Sequence, residues 1–172
     1  MSLSMHSASV PVFVRMLGNA LTWLDKAQAH AEARKFDPNN YLGLRLAPDM
    51  LPFARQIQVA SDGAKGCVAR LAGVEVPAWE DNEATLDELR ARIRRTIDYA
   101  QSVPATQIDG SESREIVLPT RTGDPLRFDG EAYLKHYAFP NFYFHVTMTS
   151  ALLRHNGVDL GKTDYLVGVP PA

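Results

Sequence analysis

FPNFYFHVTMTSALLRHN, residues 139–156, is the stretch on which the reading of this chain turns. Extended backwards to Leu134 and wound at about 100° per residue, it places Leu134, Ala138, Asn141, His145, Met148, Thr149 and Leu152 within about 100° of arc. An imidazole and a carboxamide therefore share the stripe that the aliphatic residues define, while Lys135, His136 and Arg154 fall on other sides. Two polar groups turned into a core need partners, because an unpaired buried amide or imidazole costs about 1–3 kcal/mol. His145 is either a core imidazole satisfied by Asn141, a nearby threonine or a backbone carbonyl, or the polar anchor of a site. His136 is about half a turn out of phase with His145, and His155 sits in a last turn where an imidazolium favours the helix C-terminus.

Working outward, Asp129 is a good N-cap for this helix and Asn156-Gly157 ends it. Three further segments carry the same period. From Ser9 to Arg34 the stripe is Phe13, Leu17, Ala20, Leu24, Ala27 and Ala31, with a second apolar strip of Val12, Met16 and Trp23 to one side. So wide an apolar arc predicts a second partner, and a subunit contact through Val12, Met16 and Trp23 in a homodimer is the reading made here. From Pro48 to Ala72 the stripe includes Met50, Phe53, Ile57, Ala64, Val68 and Leu71, with Gly73 suited to the C′ position. Gln56 flanks that stripe, and Gln58, Asp62 and Lys65 read as a solvated, ion-paired rim. The last of the three opens on the capping box Thr85-Leu-Asp-Glu88 and runs to about Val103.

Between the third and fourth helical segments, Ile116–Leu118 and Leu126–Phe128 are short β-prone runs around Thr-Gly-Asp-Pro, which predicts a small hairpin. The apolar loop 36–47 is expected to cover one end of the helices. The pattern predicts an all-α protein, a four-helix bundle carrying a small β-hairpin between helices three and four, as one domain over residues 1–172.

The totals restrict the function classes. In 172 residues, 18 Lys and Arg stand against 20 Asp and Glu, so the surface lacks the positive excess that nucleic-acid binding draws on. No apolar run approaches the roughly 18 residues of a membrane span. The start MSLSMHSASV has no basic region before an apolar one, which predicts a cytoplasmic protein. Cys67, the single cysteine, falls near the second stripe and reads as a buried, inert thiol.

The run FHVTMTSALLRHNGV, residues 144–158, resembles the last helix of the DinB/YfiT-like superfamily, four-helix bundles that often hold a metal on three histidines. Leu152-Leu153-Arg154 and Gly157 match the family's helix end. Counting back, His145 falls on the second of its two helix-four histidines and Asn141 on the first. SVPVFVRML, RLAPDMLPFARQIQVASD, ARLAG and PNFYFHVT extend the likeness, over nearly the whole length, to a branch of uncharacterised bacterial proteins. The third histidine of that pattern lies in helix two, yet no histidine occurs between Leu42 and Lys135; Gln56 or Gln58 stands near its place. One imidazole with two amides is a weak donor set for zinc or nickel, so no cofactor is expected and any metal would rest on His145 in a degraded site.

Three functions follow for this chain. One is a small-molecule site between helices two and four, with His145 as polar anchor or general acid/base, Asn141 orienting it, and Gln56, Tyr137 and Tyr143 lining it. Another is a metal-free dimeric binding or assembly module. The third, implied by the resemblance alone, is a metal-dependent, thiol transferase-like enzyme.

Overall fold

The computed structural model describes residues 3–120 and 122–168. Its four long helices are α1 (Met5–Arg34), α2 (Phe53–Ala72), α3 (Leu86–Ser102) and a fourth, continuous over 130–155. The fourth comprises α5 (Gly130–Tyr133), a π turn (Leu134–Ala138) and α6 (Phe139–His155). A single turn, α4 (Ala105–Ile108), follows α3, and a short α7 (Lys162–Leu166) closes the described chain. α2 packs on α3 and α6, and α1 packs on α3 and α6, so α1 and α2 face each other diagonally across the core. The architecture is a four-helix bundle.

Local chemistry sets the helix ends. Ser4 caps α1 through a reciprocal pair with Ser7, so the helix begins four residues before the predicted Ser9. α2 begins at Phe53 rather than near Pro48, because a residue preceding proline is driven out of the helical region and Pro52 forces Leu51 to be extended. Thr85 and Glu88 close their capping box, and Gly73 ends α2 with φ 71°. The hairpin pairs Ile116 with Phe128 and Leu118 with Leu126 in antiparallel register, on the predicted residues.

The π turn lies immediately before Pro140. A proline ring clashes with the carbonyl four residues back in a regular helix, and widening the preceding turn accommodates it. Phe139 N–H accordingly donates to Leu134 O, five residues earlier. A wider turn rotates less per residue, which brings side chains four apart closer to one line. Tyr133 and Tyr137 stack as a result, with centroids 6.0 Å apart and planes at 21°.

Two sequence expectations are corrected. The strip on α1 is not an open subunit contact: Trp23 is 1% exposed and Met16 is buried, with Val12 half-buried. α7 covers it. The Trp23 ring stacks on Tyr165 at 5.5 Å, its Nε1–H donates to Asp164 O at 3.2 Å, and Lys26 pairs with Asp164 at 2.6 Å. The short α7 lacks the periodic run that would have advertised it.

The second correction concerns Gln58, Asp62 and Lys65, which are not a solvated rim. Gln58 and Lys65 are buried under the segment 73–85. Arg92 reaches across from α3 to Asp62 at 2.9 Å, Asp81 at 2.8 Å and Glu83 at 2.9 Å, while Lys65 pairs with Asp62 at 2.8 Å and lies over the Trp79 ring. Burial pushes Glu83 upward, but hydrogen bonds from Arg92 and Gln58 outweigh it and hold the carboxyl below its ordinary value. A buried cation with several carboxylates is favourable only as a complete set; removing one member strands the others.

The hairpin is locked to the bundle where α5 begins, because a Cβ on Gly130 would run into the backbone carbonyl of Ser111. Neither backbone can yield cheaply. Gly130→Ala is therefore expected to destabilise the protein by about 1–3 kcal/mol, measured as a lower urea midpoint, although alanine is the better helix former.

Candidate functional site

α2 and the fourth helix meet around His145, which is 8% exposed and points into the bundle as the helical wheel predicts. Its Nδ1 lies 2.7 Å from Gln56 Oε1, and the other end of that amide donates from Nε2 to Leu51 O at 2.9 Å. The second bond orients the amide with its oxygen toward the ring. Nδ1 therefore carries the proton and donates, leaving Nε2 as the lone-pair nitrogen. Thr149 Oγ1 donates to His145 O one turn on, at 2.9 Å. Desolvation lowers the His145 pKa below 6.5, so the neutral ring is the resting form.

Asn141, one turn before His145, does not orient the imidazole; Gln56 holds Nδ1 instead. Asn141 is half-buried at the edge of the stripe, and its Nδ2 stands 3.4 Å from where a Cβ on Gly63 would be. It lines a cleft of about 300 Å³ between α2 and the fourth helix, walled by Asp62, Gly63 and Arg70 on one side and by Tyr133, Tyr137 and Asn141 on the other. The end of β1, Leu118 with Pro119, forms its rim. Tyr137 lines this cleft, whereas His145, Gln56 and Tyr143 do not. Tyr143 is turned away and packs on Phe139 and Phe142, with ring centroids at 5.7 and 5.8 Å.

Arg70 and Tyr133 were not picked out from the sequence. Arg70 Nη1 donates to Tyr133 Oη at 3.2 Å, and burial pushes the Tyr133 hydroxyl upward so that it keeps its proton. The sequence signal was glycine: Gly63 lines the cleft opposite Asn141, and Gly66, three residues on, lies under the Arg70 guanidinium. A helix interior tolerates glycine at about 0.5–1 kcal/mol each, so two on one face mark a close approach.

A larger hollow of about 510 Å³ opens beside Trp79, Arg92 and Arg95. Its charged groups are already engaged: Arg92 and Glu83 with each other, Arg95 on the Trp79 ring at 4.3 Å, and Glu88 in the α3 cap. It serves to fasten the segment 73–85.

The side chain bonded to the His145 imidazole is an amide. Among the described residues no three His, Cys, Asp or Glu side chains are grouped as ligands. Amide oxygens suit harder ions than zinc or nickel. Cys67 is fully buried, and desolvation raises its pKa, so it lacks the thiolate character of a reactive cysteine.

A four-helix bundle with a hairpin before its last helix, and an inward imidazole and amide facing helix two, defines a DinB-like protein. The structure is similar to the crystal structure, at 1.83 Å resolution, of a DinB family member from Shewanella denitrificans. That similarity has a TM-score of 0.85 at 37% identity, covering 97% of this chain and 94% of the other. The chain belongs to the family described as a domain of unknown function (DUF1993), whose model matches residues 5–166. A search of curated proteins returns no match.

His145 gives a pH prediction with a definite sign. Its folded pKa is below its unfolded value, so its contribution is fully present above about pH 6.5 and is lost as pH falls through the folded pKa. Urea midpoints at about pH 7.5 and about pH 5.5 are expected to differ less in His145→Gln than in the wild type. At neutral pH, His145→Ala should cost about 1–3 kcal/mol, since Gln56 Oε1 is left unsatisfied.

Proposed function

We propose that this protein binds a small organic molecule in the cleft between α2 and the fourth helix, with no resident transition metal. The supporting observation is convergence: Arg70, Tyr133 and Asn141 line one cleft from facing helices, with Gly63 between them. A concave site of about 300 Å³ with a few convergent polar groups on rigid elements is the usual form of a ligand pocket. The arrangement orients a ligand by directional hydrogen bonds, while Tyr137 supplies apolar area. His145 does not line the cleft; its bond to Gln56 ties α6 to α2, the two helices that wall it. A thiol reaction would have to use an external thiol, because Cys67 is sealed in the core.

One observation favours association as a second reading. Phe144 is 52% exposed and Leu51 42% exposed, on the outer side of the Gln56–His145 pair. A homodimer contact would use these residues in place of Trp23. Sedimentation of Phe144→Asp tests it, and an unchanged molecular mass between wild type and variant removes this reading.

Screening a fragment library by ¹H–¹⁵N NMR tests the cleft. Hits are expected to move the Asn141 side-chain amide together with the Gly63 and Gly66 backbone amides. Hits that leave all three still, and cluster elsewhere, overturn the proposal. Gly63→Ala separates stability from binding: it should raise stability by about 0.5–1 kcal/mol through helix propensity, while narrowing the cleft against Asn141 and weakening those hits.

A further inference from the structure

Arg70 determines which chemistry the cleft accepts. Its guanidinium folds back along α2 over Gly66, where any side chain would collide with it. No Asp or Glu among the described residues pairs with it, whereas the other α2 cations, Arg55 and Lys65, and the facing Arg92 all hold carboxylates. The one acid in the cleft, Asp62, has its Oδ1 bonded to both Lys65 and Arg92. Asp62 is therefore neutralised from behind, and the uncompensated charge facing the cleft is that of Arg70.

A half-buried guanidinium with no counter-ion, beside a hydroxyl that has accepted its Nη1–H and still has a proton to give, suits a planar oxyanion. One cation balances one charge. A carboxylate meets that condition, whereas a phosphate, carrying about 1.5 to 2 charges at neutral pH, exceeds it. The aromatic wall bears on the rest of the ligand. Tyr137, 39% exposed as a residue, lies near-parallel to Tyr133 and against Phe128, and supplies an aromatic wall for a flat body. Gly66, beneath the guanidinium, is about 4.5 Å along the helix axis from Gly63, opposite Asn141. A ligand that touches both the guanidinium over Gly66 and the amide opposite Gly63 is therefore small.

Resting on the cleft reading above, we propose that the ligand class is a small, flat, singly charged carboxylate. The carboxylate sits on Arg70 and the Tyr133 hydroxyl, the ring lies against Tyr137, and Asn141 reads a polar group at the far end.

The test uses 4-hydroxybenzoate, its neutral analogue 4-hydroxybenzamide, and inorganic phosphate, each titrated into the intact protein under ¹H–¹⁵N NMR. The acid is expected to shift the Arg70 Nε–H and Asn141 side-chain signals saturably, with the amide binding at least about tenfold more weakly and phosphate leaving Asn141 unmoved. Arg70→Gln should lose about the same tenfold, and Tyr133→Phe part of it. Comparing acid with amide needs no variant, so a poorly folded Arg70→Gln does not blunt the test. Equal binding of acid and amide, or an acid affinity unchanged in Arg70→Gln, overturns the carboxylate assignment; shifts that still map to Gly63 and Asn141 then leave the cleft reading standing. A failure of the acid to shift either signal up to about 10 mM also overturns the assignment, and the fragment screen judges the cleft independently.

Discussion

The hydrogen bond from His145 Nδ1 to Gln56 Oε1 joins the two helices whose spacing creates the cleft. It is buried, so the alternative to making it is not a bond to water but an unsatisfied imidazole and amide in the core, at about 1–3 kcal/mol. That asymmetry fixes the register of α2 against the fourth helix more sharply than apolar contact, which tolerates sliding. With the register set, Gly63 stands opposite Asn141, and Gly66 lies beneath the Arg70 guanidinium near Tyr133. A slide of one helical turn, about 5.4 Å, would put side chains where the glycines are.

Two further devices hold the frame. Arg92 collects Asp62, Asp81 and Glu83, which pins the segment 73–85 across α2 and α3 and keeps Asp62 from acting as a free acid in the cleft. The π turn before Pro140 gives the fourth helix two periodicities, one that stacks Tyr133 on Tyr137 and a regular one that turns His145 and Leu152 inward. The proline that would otherwise break the helix thus sets the aromatic wall of the cleft. Packing energy comes from the buried apolar core, which includes Phe13 against Phe139 and Phe142 and Trp23 under Tyr165. The polar devices specify geometry, and the apolar ones supply most of the stability.

Much of the bundle was legible because its signals are local. The capping box at Thr85, the N-cap Asp129, the glycine after α2 and the two β-prone runs each act within a few residues, and the structure has them at those residues. The inward direction of His145 followed from the helical period alone. What failed were inferences about neighbours. Trp23 was read as an open strip because nothing periodic marks the short α7, and Gln58 and Lys65 were read as rim because nothing in 73–85 shows that it folds back over them. Tyr137 and Tyr143, six residues apart, already point about 120° away from each other on a regular helix, and only the packed structure shows that Tyr137 is the one that lines the cleft.

The sequence by itself therefore determined the helices, their caps, the hairpin and the inward imidazole, since each depends on hydrogen bonds and side-chain periods a few residues long. Only the tertiary structure decided that Gln56 rather than Asn141 holds His145, that Asp62 is spent on Lys65 and Arg92, and that Arg70 is left facing a cleft. Those partners are separated by up to 89 residues of chain. Which distant polar groups meet is set by the relative placement of packed helices, and no local pattern encodes that placement.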